Sequence, residues 1–152
     1  MTVGNVLILL ARVGLGVIFL AHGWQKFVTN GIAATQQGFE AMGAPFPEVT
    51  AVVAATIEFG GGIGLIIGLA TPVWAALLFA TMVGAFLIAH TGHGLFAAQG
   101  GFELVLALAA PMLLLIVTGA GRFSADGLLG GRLPWNRVVF ANRSLRLSSE
   151  LA

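Results

Sequence analysis

The sequence predicts an all-α integral membrane protein, built as a bundle of four membrane-crossing helices. Three observations carry this. Of 152 residues, 58% are apolar and 9% charged, against a usual charged share of about 25%. Four apolar segments, over 3–27, 49–69, 72–90 and 101–118, each approach the ~20 residues that cross a bilayer core. Finally, these segments are apolar all round, which suits lipid rather than a half-wetted surface.

The first segment starts without a basic leader and is too long for a signal-peptide core of about 7–15 residues. It is therefore expected to be a retained helix. The loop over 28–48 contains Gly31, Gln36, Gln37 and Glu40, then Pro45 and Pro47. Its centre, 33–42, is expected to form a short interfacial helix. The second and third segments are separated only by Thr71-Pro72, so they form a tight hairpin. Proline suits the first turn of the third helix, where its missing N–H is not needed. A short loop, 91–100, carries His93 and leads to the fourth segment.

This gives a transmembrane domain over 1–121 and a tail over 122–152. The tail holds Arg122, Arg132, Arg137, Arg143 and Arg146, five of the seven basic residues. The positive-inside tendency places it in the cytoplasm, with the N-terminus on the same side. The reverse orientation is the alternative, since Lys26 lies near the other surface. Leucines, Trp135 and valines between the arginines allow an amphipathic tail lying on the headgroups. A flexible, solubilising end is the other reading.

A net charge of +1 gives no electrostatic case for nucleic acid. Cysteine is absent, which excludes disulfides, iron–sulfur clusters and thiolate metal sites within the chain. Redox chemistry would need a bound cofactor or a partner.

Glu58 lies in the run Ala54-Ala-Thr-Ile-Glu58-Phe-Gly60-Gly61-Gly62-Ile-Gly64. A carboxylate at the centre of a membrane helix costs roughly 2.5–3.5 kcal/mol, so it calls for a partner. Gly60, Gly64 and Gly68 recur every four residues and allow close approach of a neighbouring helix. Arg12 is the expected partner. Counted along oppositely running segments, both residues fall roughly 13 Å deep. The pair reads as structure, or as structure that also floors a ligand pocket.

A second polar group gathers near the surface opposite the tail. His22 and Lys26 share a helix face at i, i+4. His90 and His93 close the third segment, and Glu103 opens the fourth. Together they are expected to make a polar mouth above Glu58 and Arg12. The mouth reads as an ordinary interface layer, as a pocket for a quinone or lipid, or as a metal or haem site through His22 with His90 or His93. Trp24, Phe27 and Phe96 read as an aromatic belt. Gly60-Gly61-Gly62 is no phosphate loop, because no Lys-Ser/Thr follows it.

Three stretches together resemble the DoxX family of small bacterial membrane proteins. They are Leu10-Ala-Arg12-Val-Gly-Leu-Gly-Val-Ile-Phe-Leu-Ala-His22-Gly-Trp-Gln-Lys26, Glu58 with its glycines, and Gly119-Ala-Gly121-Arg122-Phe-Ser124-Ala-Asp126-Gly-Leu-Leu129. The resemblance spans about 6–129. It implies a four-helix bundle in a bacterial cytoplasmic membrane. It also implies an association with membrane oxidoreductase complexes, quinone-linked sulfur oxidation and soluble redox partners. Arg12, His22, Lys26, Glu58, Arg122 and Asp126 match the family pattern, and Arg122 with Asp126 is expected to hold the cytoplasmic end of the fourth helix.

The expectation is therefore a membrane subunit or anchor of an oxidoreductase assembly, with a quinone or lipid pocket. The alternatives are a non-catalytic structural subunit of a larger membrane complex, including a homo-oligomer, and more remotely a small transporter. No self-contained catalytic motif is present.

Overall fold

The computed structural model describes residues 2–129 and 134–135. Helix α1, Thr2–Trp24, continues through a π turn, Gln25–Thr29. A short helix, α2, follows over Ile32–Ala41. Helix α3 covers Pro47–Ile67 and α4 covers Thr71–Ala85, the latter continuing through a second π turn, Phe86–His90. Helix α5, Glu103–Thr118, precedes the short α6, Ala125–Leu129. No strand occurs among the described residues. The all-α membrane bundle read from the sequence is the fold observed.

Three spans, Val3–Thr29, Pro47–Ile67 and Thr71–His90, are long and apolar enough to cross a membrane. The fourth apolar helix, α5, has 16 residues, a length of about 24 Å. One of its residues is Pro111, which withholds a backbone N–H from the helix ladder.

Helix α1 packs most extensively on α3, and α4 on α5. Glycine decides how closely the first pair meets. A Cβ on Gly62 would lie 2.5 Å from Leu20 N, and one on Gly23 would lie 2.4 Å from Phe59 N. Backbone thus meets backbone, as small residues permit between membrane helices. The expected ridge is divided between neighbours. Gly60 and Gly64 receive the indole of Trp74, Gly61 receives Leu78, and Gly68 lies against the Arg12 guanidinium. One core joins both pairs, through Phe19, Leu65, Leu78, Met82, Leu108 and Met112.

The α3–α4 turn is tight, as Thr71-Pro72 implied. Gly68 closes α3 at φ +74°. Ala70 sits at φ +52°, a left-handed conformation that costs a non-glycine residue roughly 1–2 kcal/mol.

Candidate functional site

Arg12 and Glu58 do not meet. Arg12, 1% exposed, donates from Nη1 to the carbonyls of Leu65 and Ile66, the second at 2.8 Å, and from Nη2 to Phe123 O at 2.8 Å. Glu58 instead receives Lys26, whose Nζ lies 2.5 Å from Oε2. The expected register failed for a physical reason. The ends of two packed helices do not fix their register; the places where their backbones touch do. The glycine contacts set the true alignment: Gly16 faces Gly62 and Ile66, and Gly23 faces Phe59. Arg12 is carried to the last turn of α3, and Lys26 to the level of Glu58.

Arg12 thereby meets the carbonyl-rich C-terminus of α3, where a cation is favoured by the helix dipole. Asp126 does the converse at the start of α4. Its Oδ1 and Oδ2 accept the N–H groups of Ala70 at 2.9 Å and Thr71 at 3.0 Å. Its own N–H donates to Gly68 O at 2.9 Å, and Trp135 Nε1 donates to Oδ1 at 3.0 Å. Asp126 was expected to hold the end of the fourth membrane helix, α5. It holds the beginning of α4, because the segment after α5 folds back against the α3–α4 turn. The Arg122 contribution comes from its backbone N–H, which donates to Asn5 Oδ1 at 3.1 Å. Its side chain is exposed. Past residue 121, the described residues Arg122, Phe123 and Asp126 thus bond to the helices. Arg132, Arg137, Arg143 and Arg146 lie outside the described residues.

The expected polar mouth does not assemble. His90 Nδ1 lies 2.8 Å from Gly100 O, and Glu103 Oε1 accepts the Ala97 N–H at 2.7 Å. Both residues stitch the loop between α4 and α5. His22 is half-buried and His93 exposed, and neither lines the groove that contains Lys26 and Glu58. Among the described residues, no three His, Asp or Glu side chains gather as metal ligands would. Trp24 and Phe27 pack on Phe59, with ring centroids 6.5 and 6.3 Å away.

Lys26 and Glu58 instead belong to a groove of about 470 Å³ between α3 and α4. Val53, Ala54 and Ile57 form one wall, and Leu77, Ala80, Gly84 and Ala85 the other. Phe39 of α2 and Met42, the residue that caps it, also line the groove. The volume lies within the range of small-molecule sites, about 300–1,000 Å³, and the lining is apolar with a few polar groups, as such sites are. Small residues create the space: a Cβ on Gly84 would touch nothing within 4 Å.

Glu58 is buried, and the Lys26 side chain is 19% exposed. Lys26 uses one of its three N–H groups on Glu58, so hydrogen-bonding capacity remains for a ligand. Glu58 lies eleven residues into α3, about 16 Å from its loop-side end. Helices α1 and α4 end in π turns on this side, and both turns line the groove, one through Lys26 and the other through Ile88 and Ala89. Such turns occur often at functional sites.

The DoxX family model matches residues 7–91, from the second turn of α1 to the residue after the second π turn. The chain belongs to the DoxX family. Its relatives span nearly the same length. Inner membrane protein YqjF of Escherichia coli is 36% identical over 127 residues, covering 80% of this chain and 91% of the relative. Inner membrane protein YphA of the same organism is 31% identical over 126 residues, covering 80% and 89%. A Bacillus subtilis relative named "Putative oxidoreductase CatD" is 36% identical over 118 residues, covering 78% and 83%. No solved structure matches the chain. This DoxX protein is thus a multi-pass membrane protein, in contact with the lipid bilayer, with inner membrane relatives. Both charged residues of the groove, Lys26 and Glu58, fall inside the family match.

The groove residues were partly legible. Lys26 was a candidate, but as a contact at the mouth. The signal that could have paired it with Glu58 was the glycine spacing on both helices, which fixes the register independently of where each segment begins.

Proposed function

We propose that this DoxX protein is a membrane subunit of an oxidoreductase assembly and that its groove binds a quinone. Both termini would face the cytoplasm, by the basic residues of the tail. The observation that carries the reading is the Lys26–Glu58 pair in an apolar groove, about 16 Å along α3 from its loop-side end. The pair is neutral overall, so it does not call for an anionic ligand. A phospholipid headgroup stays in the interfacial region, whereas a neutral carbonyl ring on an apolar tail can reach this depth. The name of the CatD relative supports the redox setting.

The residues fit such a ligand. Lys26 would donate to a ring carbonyl, and Glu58 would keep that ammonium in place. Val53, Ile57, Leu77 and Ala80 would take the ring and the start of the tail, and exclude water. A bound quinone would supply two-electron redox chemistry that no side chain of this cysteine-free chain provides.

The test is purification in mild detergent, followed by extraction and mass spectrometry of bound small molecules. Stoichiometric quinone, lost in Gly84→Leu with unchanged thermal stability, supports the reading. No stoichiometric quinone in the parent protein, or equal amounts in both proteins, overturns it.

A non-catalytic structural subunit is the second reading. It is favoured by an outward seam on α1, where Gly4, Leu7, Ala11, Gly14, Ile18 and Ala21 are exposed. Small residues of this kind suit a further helix. A defined membrane complex with no bound small molecule would select it.

A further inference from the structure

We infer that α2 is a hinged cover that controls the access of water to Lys26 and Glu58, with Thr35 as its latch. This deepens the reading of the groove as a ligand site and rests on it. Helix α2 and its C-cap residue reach the groove through Phe39 and Met42. Glycines at positive φ bound it on both sides, Gly31 at +79° and Gly43 at +76°. Only glycine adopts this conformation without cost, so both ends are points where the chain can change direction. Beyond the second hinge Ala44 is buried, which fixes the chain again before α3.

The seat of α2 is unusual for a helix. Its one buried residue is Thr35, a hydroxyl rather than an apolar side chain. The Thr35 hydroxyl lies 3.0 Å from both Lys26 O and Gly31 O. The first of these bonds joins α2 to the π turn that carries the groove's cation. A second tie runs from Gln36 Nε2 to Glu48 O at 3.0 Å. Ile32 and Phe39 are only half-buried, and Ala33, Ala34, Gln37 and Glu40 are exposed. An element with so little buried apolar surface belongs to the low-stability end of a fold, where lids are found. The hydrogen bond from Thr35 therefore holds a larger share of its closure than a surface bond elsewhere would.

The test uses the absence of cysteine from the chain. An Ala54→Cys reporter places a thiol in the groove, and an Ala109→Cys reporter places one on α5, away from α2. Each is reacted in nanodiscs with a charged, water-soluble methanethiosulfonate reagent. Adding Thr35→Val, which keeps the shape and removes the hydroxyl, is expected to raise the Ala54→Cys rate about two- to tenfold, the range one net hydrogen bond supplies. The Ala109→Cys rate should stay constant, and Thr35→Ser should keep the parent rate at both reporters. An unchanged Ala54→Cys rate in Thr35→Val, or an equal rise at both reporters, overturns the cover. Labelling requires no ligand, so this result stands apart from the mass spectrometry. Absent quinone with a rate rise confined to Ala54→Cys fails the quinone reading alone. Bound quinone with unchanged rates fails the cover alone.

Discussion

Arg12 and Asp126 secure opposite sides of one turn. Arg12 binds the last carbonyls of α3, and Asp126 binds the first N–H groups of α4. Each charge faces the helix end whose dipole it complements. The two residues are far apart in sequence and belong to the first and last motifs of the family resemblance. The α3–α4 turn brings these two distant stretches together.

Removing this arrangement should lower stability strongly. Asp126→Ala deprives two helix N–H groups and an indole N–H of their acceptor. Bonds to charged groups contribute about 1.5–3 kcal/mol each but are not additive. A loss of about 2–4 kcal/mol is expected in reversible unfolding, with Asp126→Asn intermediate because one oxygen remains to accept. A loss below about 0.5 kcal/mol would refute the capping role.

The turn itself has strain to release. Ala70→Gly should stabilise the protein by about 0.5–1 kcal/mol, since glycine occupies the left-handed region freely. A fall in thermal midpoint would contradict this.

Glycines at two positions should respond in opposite directions. Gly62→Ala pushes a methyl against Leu20 backbone and should cost about 1–3 kcal/mol, as overpacking does. Gly84→Ala meets nothing, so helix propensity should leave it neutral or up to about 1 kcal/mol more stable. Parallel denaturation of both variants decides the matter. Equal effects would mean that the α1–α3 contact is looser than described.

Lys26 and Glu58 should behave as a coupled pair. Lys26→Met or Glu58→Gln alone should destabilise by about 3–5 kcal/mol if the remaining group stays charged and buried. The double variant should cost less than the sum of the two, by 1 kcal/mol or more in a double-mutant cycle. Additive losses would show that the two side chains do not depend on each other.

The all-α type and the apolar, membrane-spanning character of the helices were legible because an apolar run of sufficient length has few other fates. The α3–α4 hairpin was legible from Thr71-Pro72, and the short α2 from the polar spacing of its loop. The charge pairing was not. Depth along a segment depends on where its apparent ends lie, whereas helix register is set where backbones touch, at Gly16, Gly23 and Gly62. The roles of His90 and Glu103 were hidden for another reason. Each bonds a backbone group of the connecting loop, and side-chain type alone does not reveal such a partner. Asp126 stands out in sequence as a motif residue, but its contact depends on the chain doubling back after α5.

The unequal helix lengths have a consequence for the surrounding membrane. Helix α5, about 24 Å long, stands in one bundle with a first span of 27 residues. Against a hydrocarbon thickness of about 30 Å, it falls short by roughly 6 Å. The first span, about 40 Å long, exceeds the same thickness, so one bundle carries mismatches of opposite sign: tilting accommodates the long helix, and thinning of the neighbouring lipid or flanking side chains that reach the interface accommodate the short one. Short-chain lipids should be enriched along α5.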